Sequence, residues 1–225
     1  LLYFTATPIG NLEDITHRAI RIMKEVDYII CEDTRKTSIL LNKYGIKKPM
    51  KPYNDYNKNK QTKWIIEKMK KEEMDIVFVS SAGSPLISDP GFYLVKNLLR
   101  ESLPFTSIPG PSAVINSLIL SGLPPDRFIF EGYLPKNKGK RHRLLENLEN
   151  EKRTTIVFES PKRLERFIDE LEQFLPDREI SIVKEMTKIH QTIVRGKPEQ
   201  IKKNLQHIKG EFVVLIGGCE WTGID

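Results

Sequence analysis

The chain has 225 residues, 39% hydrophobic and 29% charged, with a net charge of +6. That balance excludes a disordered or collagen-like chain, and no apolar run approaches a membrane span. Two cysteines, Cys31 and Cys219, exclude a disulfide framework and point to a reducing cytoplasm, and Leu1-Leu2-Tyr3-Phe4 is not a secretory leader.

Leu2 to Thr7 is expected as a first strand, turning at Pro8-Ile9-Gly10-Asn11. A helix capped near Asp14 follows, with Ile15, Ala19, Ile22, Met23 and Val26 at helical spacing. Asp27 to Cys31 is a second strand running into Glu32-Asp33-Thr34-Arg35. Charges there stand at the carboxyl end of a strand, where α/β sheets bind ligands. Alternatively, Asp33 or Thr34 only caps the helix Lys36 to Asn42. An extended piece at Met50 to Pro52, the polar Asn54-Asp55-Tyr56-Asn57 and a lysine-rich helix Gln61 to Lys71 come next.

The apolar run Ile76 to Val79 ends abruptly in Ser80-Ser81-Ala82-Gly83-Ser84-Pro85-Leu86-Ile87-Ser88-Asp89-Pro90-Gly91. Ser80, Ala82, Gly83 and Ser84 have almost no side chain, so a ligand can lie against bare backbone. Asp89 is placed to cap a helix from Gly91 to Arg100. An ordinary strand-to-helix turn would look the same. Pro104 to Ile108 then closes in Pro109-Gly110-Pro111-Ser112-Ala113, before an apolar helix Val114 to Ser121. Strand and helix alternate throughout, which predicts an α/β domain with a mostly parallel sheet.

Gly122-Leu123-Pro124-Pro125 is the expected linker, dividing a domain of residues 1–122 from a mixed α+β domain of residues 126–225. In the second, Arg127 to Glu131, Thr154 to Glu159, Ile180 to Lys184, Gln191 to Arg195 and Phe212 to Ile216 read as strands. A basic helix falls between the first two, Ser160-Pro161 opens another through Phe174, and a third lies near Glu199 to Lys209. Ile180 to Val183 is expected to pair antiparallel with Ile193-Val194. G-x-G-x-x-G, the phosphate-loop motif, G-x-S-x-G and zinc spacings are all absent, so no metal is expected. Lys136, Lys138, Lys140, Arg141 and Arg143 form a run without acids, and a second runs from Lys43 to Lys63; both suit a phosphate backbone or a solvated lysine face.

The three small-residue loops together resemble the tetrapyrrole methylases, the class III S-adenosylmethionine-dependent methyltransferases. Glu32-Asp33-Thr34-Arg35, Ile87 to Gly91, Gly132-Tyr133-Leu134-Pro135, Glu159-Ser160-Pro161 and Glu185-Met186-Thr187-Lys188 narrow the resemblance to the branch acting on small-subunit ribosomal RNA. The resemblance implies a cytoplasmic homodimer that binds S-adenosyl-L-methionine between two domains and methylates a cytidine ribose 2′-hydroxyl, on RNA or on the assembled subunit. It implies cofactor contacts from Pro8, Ser80, Ala82, Gly83, Ser84, Ile87, Ser112, Ala113, Leu134 and Glu159. Asp33 is the first expected base, with Glu185 or Glu159 behind it, and Arg35 and Lys188 would hold a neighbouring phosphate. The chain departs from the family pattern at Ser81, Ser84, Asn54, Tyr56, Lys162 and Gln191. A tetrapyrrole methyltransferase and a non-catalytic RNA-binding homologue are the alternatives. Gly83→Leu is expected to abolish cofactor binding with the fold intact.

Overall fold

Five of the expected apolar runs become parallel strands. In the computed structural model, which describes residues 1–205 and 207–223, they are β1 (Leu2–Thr5), β2 (Tyr28–Cys31), β3 (Met50–Pro52), β4 (Ile76–Val79) and β5 (Phe105–Ile108). Their order is β3-β2-β4-β1-β5. Successive strands are joined by α1 (His17–Glu25), α2 (Thr34–Lys43), α3 (Lys58–Lys71) and α4 (Phe92–Arg100). Strand side chains alternate between faces. Ile29, Cys31, Val77 and Val79 pack with Ala19 and Met23 of α1 and Leu40 and Leu41 of α2. Leu2, Phe4, Ile30, Ile76 and Phe78 pack with Ile65 of α3 and Leu94 and Leu98 of α4. The chain therefore leaves β1 toward one face and leaves its neighbour β4 toward the other. Such a divergence is the topological switch point where α/β sheets bind ligands.

The chain divides into two compact units, Leu1–Ser112 and Ala113–Asp225. The division falls before α5 (Ala113–Ser121), not at the Gly122–Pro125 expected from the prolines. The reason is packing: α5 lies against the sheet of the second unit. Arg195 donates to Ser121 O at 2.9 Å and to Leu120 O, satisfying carbonyls at the helix end.

The second unit is a five-stranded sheet of order β6-β7-β10-β8-β9. Its strands are β6 (Phe128–Tyr133), β7 (Thr154–Glu159), β8 (Ile180–Lys184), β9 (Thr192–Gly196) and β10 (Phe212–Ile216). Only β6 and β7 are parallel, with a bulge between Phe130 and Gly132. The expected pairing holds, with Ile182 opposite Val194 and Val183 opposite Ile193. Helices α6 (Lys138–Leu148), α7 (Pro161–Phe174) and α8 (Pro198–Asn204) complete the unit. Leu145, Leu164, Phe167, Ile168 and Ile201 from these helices bury Val157, Ile182 and Val214 of the sheet.

Local differences have local causes. The first strand stops at Thr5, and Thr7 instead makes an isolated bridge. Thr16, not Asp14, caps α1, its hydroxyl accepting from Ala19 N at 3.1 Å. Gly91, not Asp89, precedes α4, without a side-chain cap. The last helix ends at Asn204, five residues short of the expected Lys209; Gln206 lies outside the described residues. No helix among the described residues is long and apolar enough to cross a membrane.

Candidate active site

All five loops that follow the parallel strands leave from one edge, because parallel strands share a direction. At the switch point, the β1 and β4 loops are stapled together. Thr7 N donates to Gly83 O and Gly83 N to Thr7 O, both at 2.9 Å, and the Thr7 hydroxyl reaches Ser80 O at 3.4 Å. The buried Ser80 hydroxyl lies 3.2 Å from the carbonyls of both Ala82 and Gly83. The β5 loop joins them: Ala6 N donates to Ile108 O at 3.2 Å, and the Ser84 hydroxyl reaches Pro111 O at 3.5 Å. Pro8, Ser80, Gly83, Ser84 and Ser112 are thus gathered at one place within the first unit. Ala82 and Ile87 of the same loop are exposed.

Gly83 has φ +77°, and a Cβ there would sit 3.2 Å from Ile9 Cγ2. The position requires glycine for the staple itself. A leucine at Gly83 would therefore disturb the loop as well as any ligand, which corrects the expectation of an intact fold. Leu86 and Ser88 also adopt left-handed backbone, at φ 73° and 65°. Three left-handed residues within six make a constrained loop, a feature common at ligand clamps.

Ala113, Leu134 and Glu159 belong to the second unit. There, Arg163 connects the last two, with Nε donating to Glu159 Oε1 at 2.7 Å and Nη1 to Leu134 O at 3.1 Å. Ser160 N also donates to Glu159, at 2.7 Å. This carboxylate is buried and its Oε1 takes both hydrogen bonds, so it orients the β7 loop.

The four expected catalytic residues divide between the units. Asp33 caps α2 by accepting from Arg35 N at 2.9 Å, and it also accepts from Arg35 Nε at 3.2 Å and Nη2 at 3.0 Å. The hydrogen bond from the Arg35 side chain, then that from its backbone, pulls the Asp33 carboxyl down to about 2. An acid that weak as a base is mismatched to neutral pH. Glu185, at φ 49°, accepts from Lys188 Nζ at 3.0 Å and from Glu211 N at 2.9 Å. Lys188 also reaches Glu211 at 2.8 Å. Burial raises the Glu185 carboxyl, but the backbone bond from Glu211 and the Lys188 ammonium outweigh it and hold the acid below its ordinary value. Both pairs are self-satisfied.

Sequence reasoning missed a better acid. Burial first, and the Glu32 carboxylate second, push Asp89 up to about 6, against a hydrogen bond with Ser80 and the charge of Lys36. Glu32, at the end of β2, accepts from the Ser81 hydroxyl at 2.5 Å. Ser81 therefore removes one carboxylate from the edge while orienting another. Its signal in the sequence was faint, because an aspartate before Pro-Gly reads as a cap. The other departures are local: Asn54 accepts from Tyr56 N and Asn57 N at 3.1 Å, and Gln191 accepts from Thr187 N at 2.7 Å. Lys162 stands in the first turn of α7.

A groove of about 490 Å³ lies elsewhere in the first unit, between Lys63, Ile66 and Lys70 of α3 and Tyr93 and Asn97 of α4. None of its walls comes from a strand-end loop. Among the described residues, no three His, Cys, Asp or Glu are grouped to hold a metal ion. What the switch-point loops offer is bare backbone, small hydroxyls and an exposed isoleucine. That donor set fits an adenosyl group, which needs close backbone approach and apolar contact rather than charge.

The tetrapyrrole (corrin/porphyrin) methylase family matches residues 1–202. The chain is 45% identical over 221 residues to the ribosomal RNA small subunit methyltransferase I of Thermotoga maritima, covering 97% of this chain and 99% of that protein. It is 38% identical over 227 residues to the protein of the same name from Bacillus subtilis, covering all of this chain and 77% of the relative. Among solved structures, a diphthine synthase superposes with a TM-score of 0.73 at 14% identity, over 96% of this chain and 89% of that one. A uroporphyrin-III C-methyltransferase from Thermus thermophilus gives 0.65 at 15%, over 97% and 94%. At those identities the structural likeness establishes the fold alone.

Proposed function

The chain belongs to the tetrapyrrole (corrin/porphyrin) methylase family, and on that premise we propose that it methylates the ribose 2′-hydroxyl of a cytidine in small-subunit ribosomal RNA. The observation that carries the reading is the 45% identity, end to end, with a ribosomal RNA small subunit methyltransferase. The family's methyltransferases use S-adenosylmethionine, which when bound supplies an electrophilic methyl group on a sulfonium.

Pro8, Ser80, Ala82, Gly83, Ser84, Ile87 and Ser112 would hold it at the switch point. The Thr7–Gly83 staple keeps that cradle rigid before any ligand arrives. Alignment by such a rigid site is worth about 7–11 kcal/mol of barrier. A base that takes the hydroxyl proton adds about 10²–10⁴-fold. Asp89 is the base in this proposal, because its carboxyl, raised to about 6, is ionised at neutral pH yet basic enough to accept a proton. Asp33 and Arg35 instead fix the start of α2. The proposal includes a homodimer: Phe92 and Leu99 on α4 are 62% and 64% exposed, apolar surface that a second copy would cover.

The test is transfer of tritiated methyl from labelled S-adenosylmethionine to small ribosomal subunits and to their naked RNA. Label in a dinucleotide resistant to alkali, the signature of a blocked 2′-hydroxyl, is expected. Label in a base, or in an added uroporphyrinogen instead of RNA, overturns the reading. Light scattering gives the mass of the assembly.

A further inference from the structure

The basic run at the start of α6 does not act as one unit. Arg141 is only 4% exposed and Glu170 of α7 only 6%. Their fork is bidentate, with Arg141 Nε and Nη2 each 2.6 Å from a Glu170 oxygen. The remaining Arg141 nitrogen donates to Pro135 O at 2.9 Å and to Lys136 O at 3.2 Å. The preceding carbonyl, Leu134 O, is taken by Arg163 at 3.1 Å. Three successive carbonyls between β6 and α6 are therefore pinned by two guanidinium groups. The other cations of the run, Lys136, Lys138, Lys140 and Arg143, are exposed. None of the four makes an ion pair among the described residues, whereas lysines of α3 and α8 pair with acids within 4 Å.

We propose that Lys136, Lys138, Lys140 and Arg143 form a contact surface for the phosphodiester backbone of a single polynucleotide strand, and that Arg141 is the positioning residue that fixes its geometry. This rests on the RNA methyltransferase reading and names where the strand is gripped. A lipid surface is the poorer match, since a membrane-binding helix needs apolar side chains to insert. No large hydrophobic residue is exposed between Leu134 and Leu148. Lys138 and Arg143 lie about 8 Å apart along the rise of α6 and Lys136 directly precedes its cap, a reach that suits two or three consecutive phosphates. A buried ion pair adds little to stability that apolar residues of similar volume would not. Its distinctive product here is the pinned Pro135–Lys136 turn.

The experiment measures anisotropy of a short fluorescein-labelled single-stranded RNA across a range of salt. Replacing all four exposed residues by alanine is expected to lower the slope of log affinity against log salt by about 1.5–2, as loss of two or three single-strand phosphate contacts requires. The double variant Arg141→Met/Glu170→Leu is expected to keep its melting temperature and yet lose part of that slope. Arg141→Lys is expected not to rescue, because an ammonium lacks the fork. An unchanged slope in the quadruple variant overturns the surface, and an unchanged slope in the folded double variant overturns the positioning role. Retained RNA affinity with lost binding to phosphatidylserine vesicles or polyglutamate assigns the surface to another partner and also overturns it. Failure of methyl transfer alongside the expected slope loss refutes the activity while leaving the surface standing. Normal transfer with an unchanged slope does the reverse.

Discussion

The two units differ in how many of their acids are locked. In the second, the buried acids are locked: Glu159 by Arg163, and Glu170 by Arg141. Glu185 is likewise engaged by Lys188, with Gly210 leaving room for its carboxylate against the backbone. At the strand-end edge of the first, Asp33 is claimed by Arg35, but among the described residues Glu32 meets only the Ser81 hydroxyl in a direct hydrogen bond and Asp89 makes no arginine or lysine ion pair. The difference has a topological root. A parallel sheet collects every loop on one edge, where small residues and unlocked acids suit chemistry. A mostly antiparallel sheet alternates its ends, so its charged residues are spent on holding individual loops.

The sharpest way to break the contrast is Asp89→Asn. Methyl transfer is expected to fall by about 10²–10⁴-fold, and the wild-type rate to rise with pH through about 6. Stability moves oppositely. The folded-state value lies above the ordinary 3.8, so the native protein holds this proton more tightly than the unfolded chain. Stability is therefore lost as pH rises from about 4 to about 6, and the loss persists above that. Asp89→Asn removes the loss and is expected to be more stable at neutral pH by on the order of 1–2 kcal/mol, discounted for solvent, with the gap closing below about pH 4. Urea melts at both pH values check this. If the variant is fully active, the unlocked acid is not the base.

Glu170→Leu tests the locked side. It strands the Arg141 guanidinium in the interior and is expected to cost about 3–5 kcal/mol in a urea melt. Ala82→Leu sharpens the first unit: calorimetry is expected to show S-adenosylmethionine affinity down about tenfold to a hundredfold, the effect of a 1–3 kcal/mol steric penalty, with an unchanged melting temperature. Gly83→Leu should lose both, because of its positive φ and Ile9. The smallest change is expected from Asp33→Asn. Asparagine caps a helix about as well as aspartate, and methyl transfer should stay within about twofold.

Much of the fold was legible because burial in a parallel sheet leaves uninterrupted runs such as Ile76-Val77-Phe78-Val79, and because small residues and prolines punctuate them. The small-residue loops after the strands were legible for the same reason. Arg141 was not: its neighbours are exposed cations, and nothing in Lys140-Arg141-His142 says that one turns inward to meet Glu170, 29 positions on. Asp33 stood first as the expected base because a carboxylate after a strand looks the same whether an arginine holds it or not.

Residue order by itself determined which segments would be strands, where the chain would turn on bare backbone, and which family those turns belong to, since each is a property of neighbouring residues. Only the tertiary structure decided which charges are free to act. Asp33 is claimed by Arg35, Arg141 by Glu170, and Asp89 is raised by burial beside Glu32. A proton's affinity for its carboxylate depends on the dielectric and the charges within a few ångströms, and folding, not chain order, brings those together.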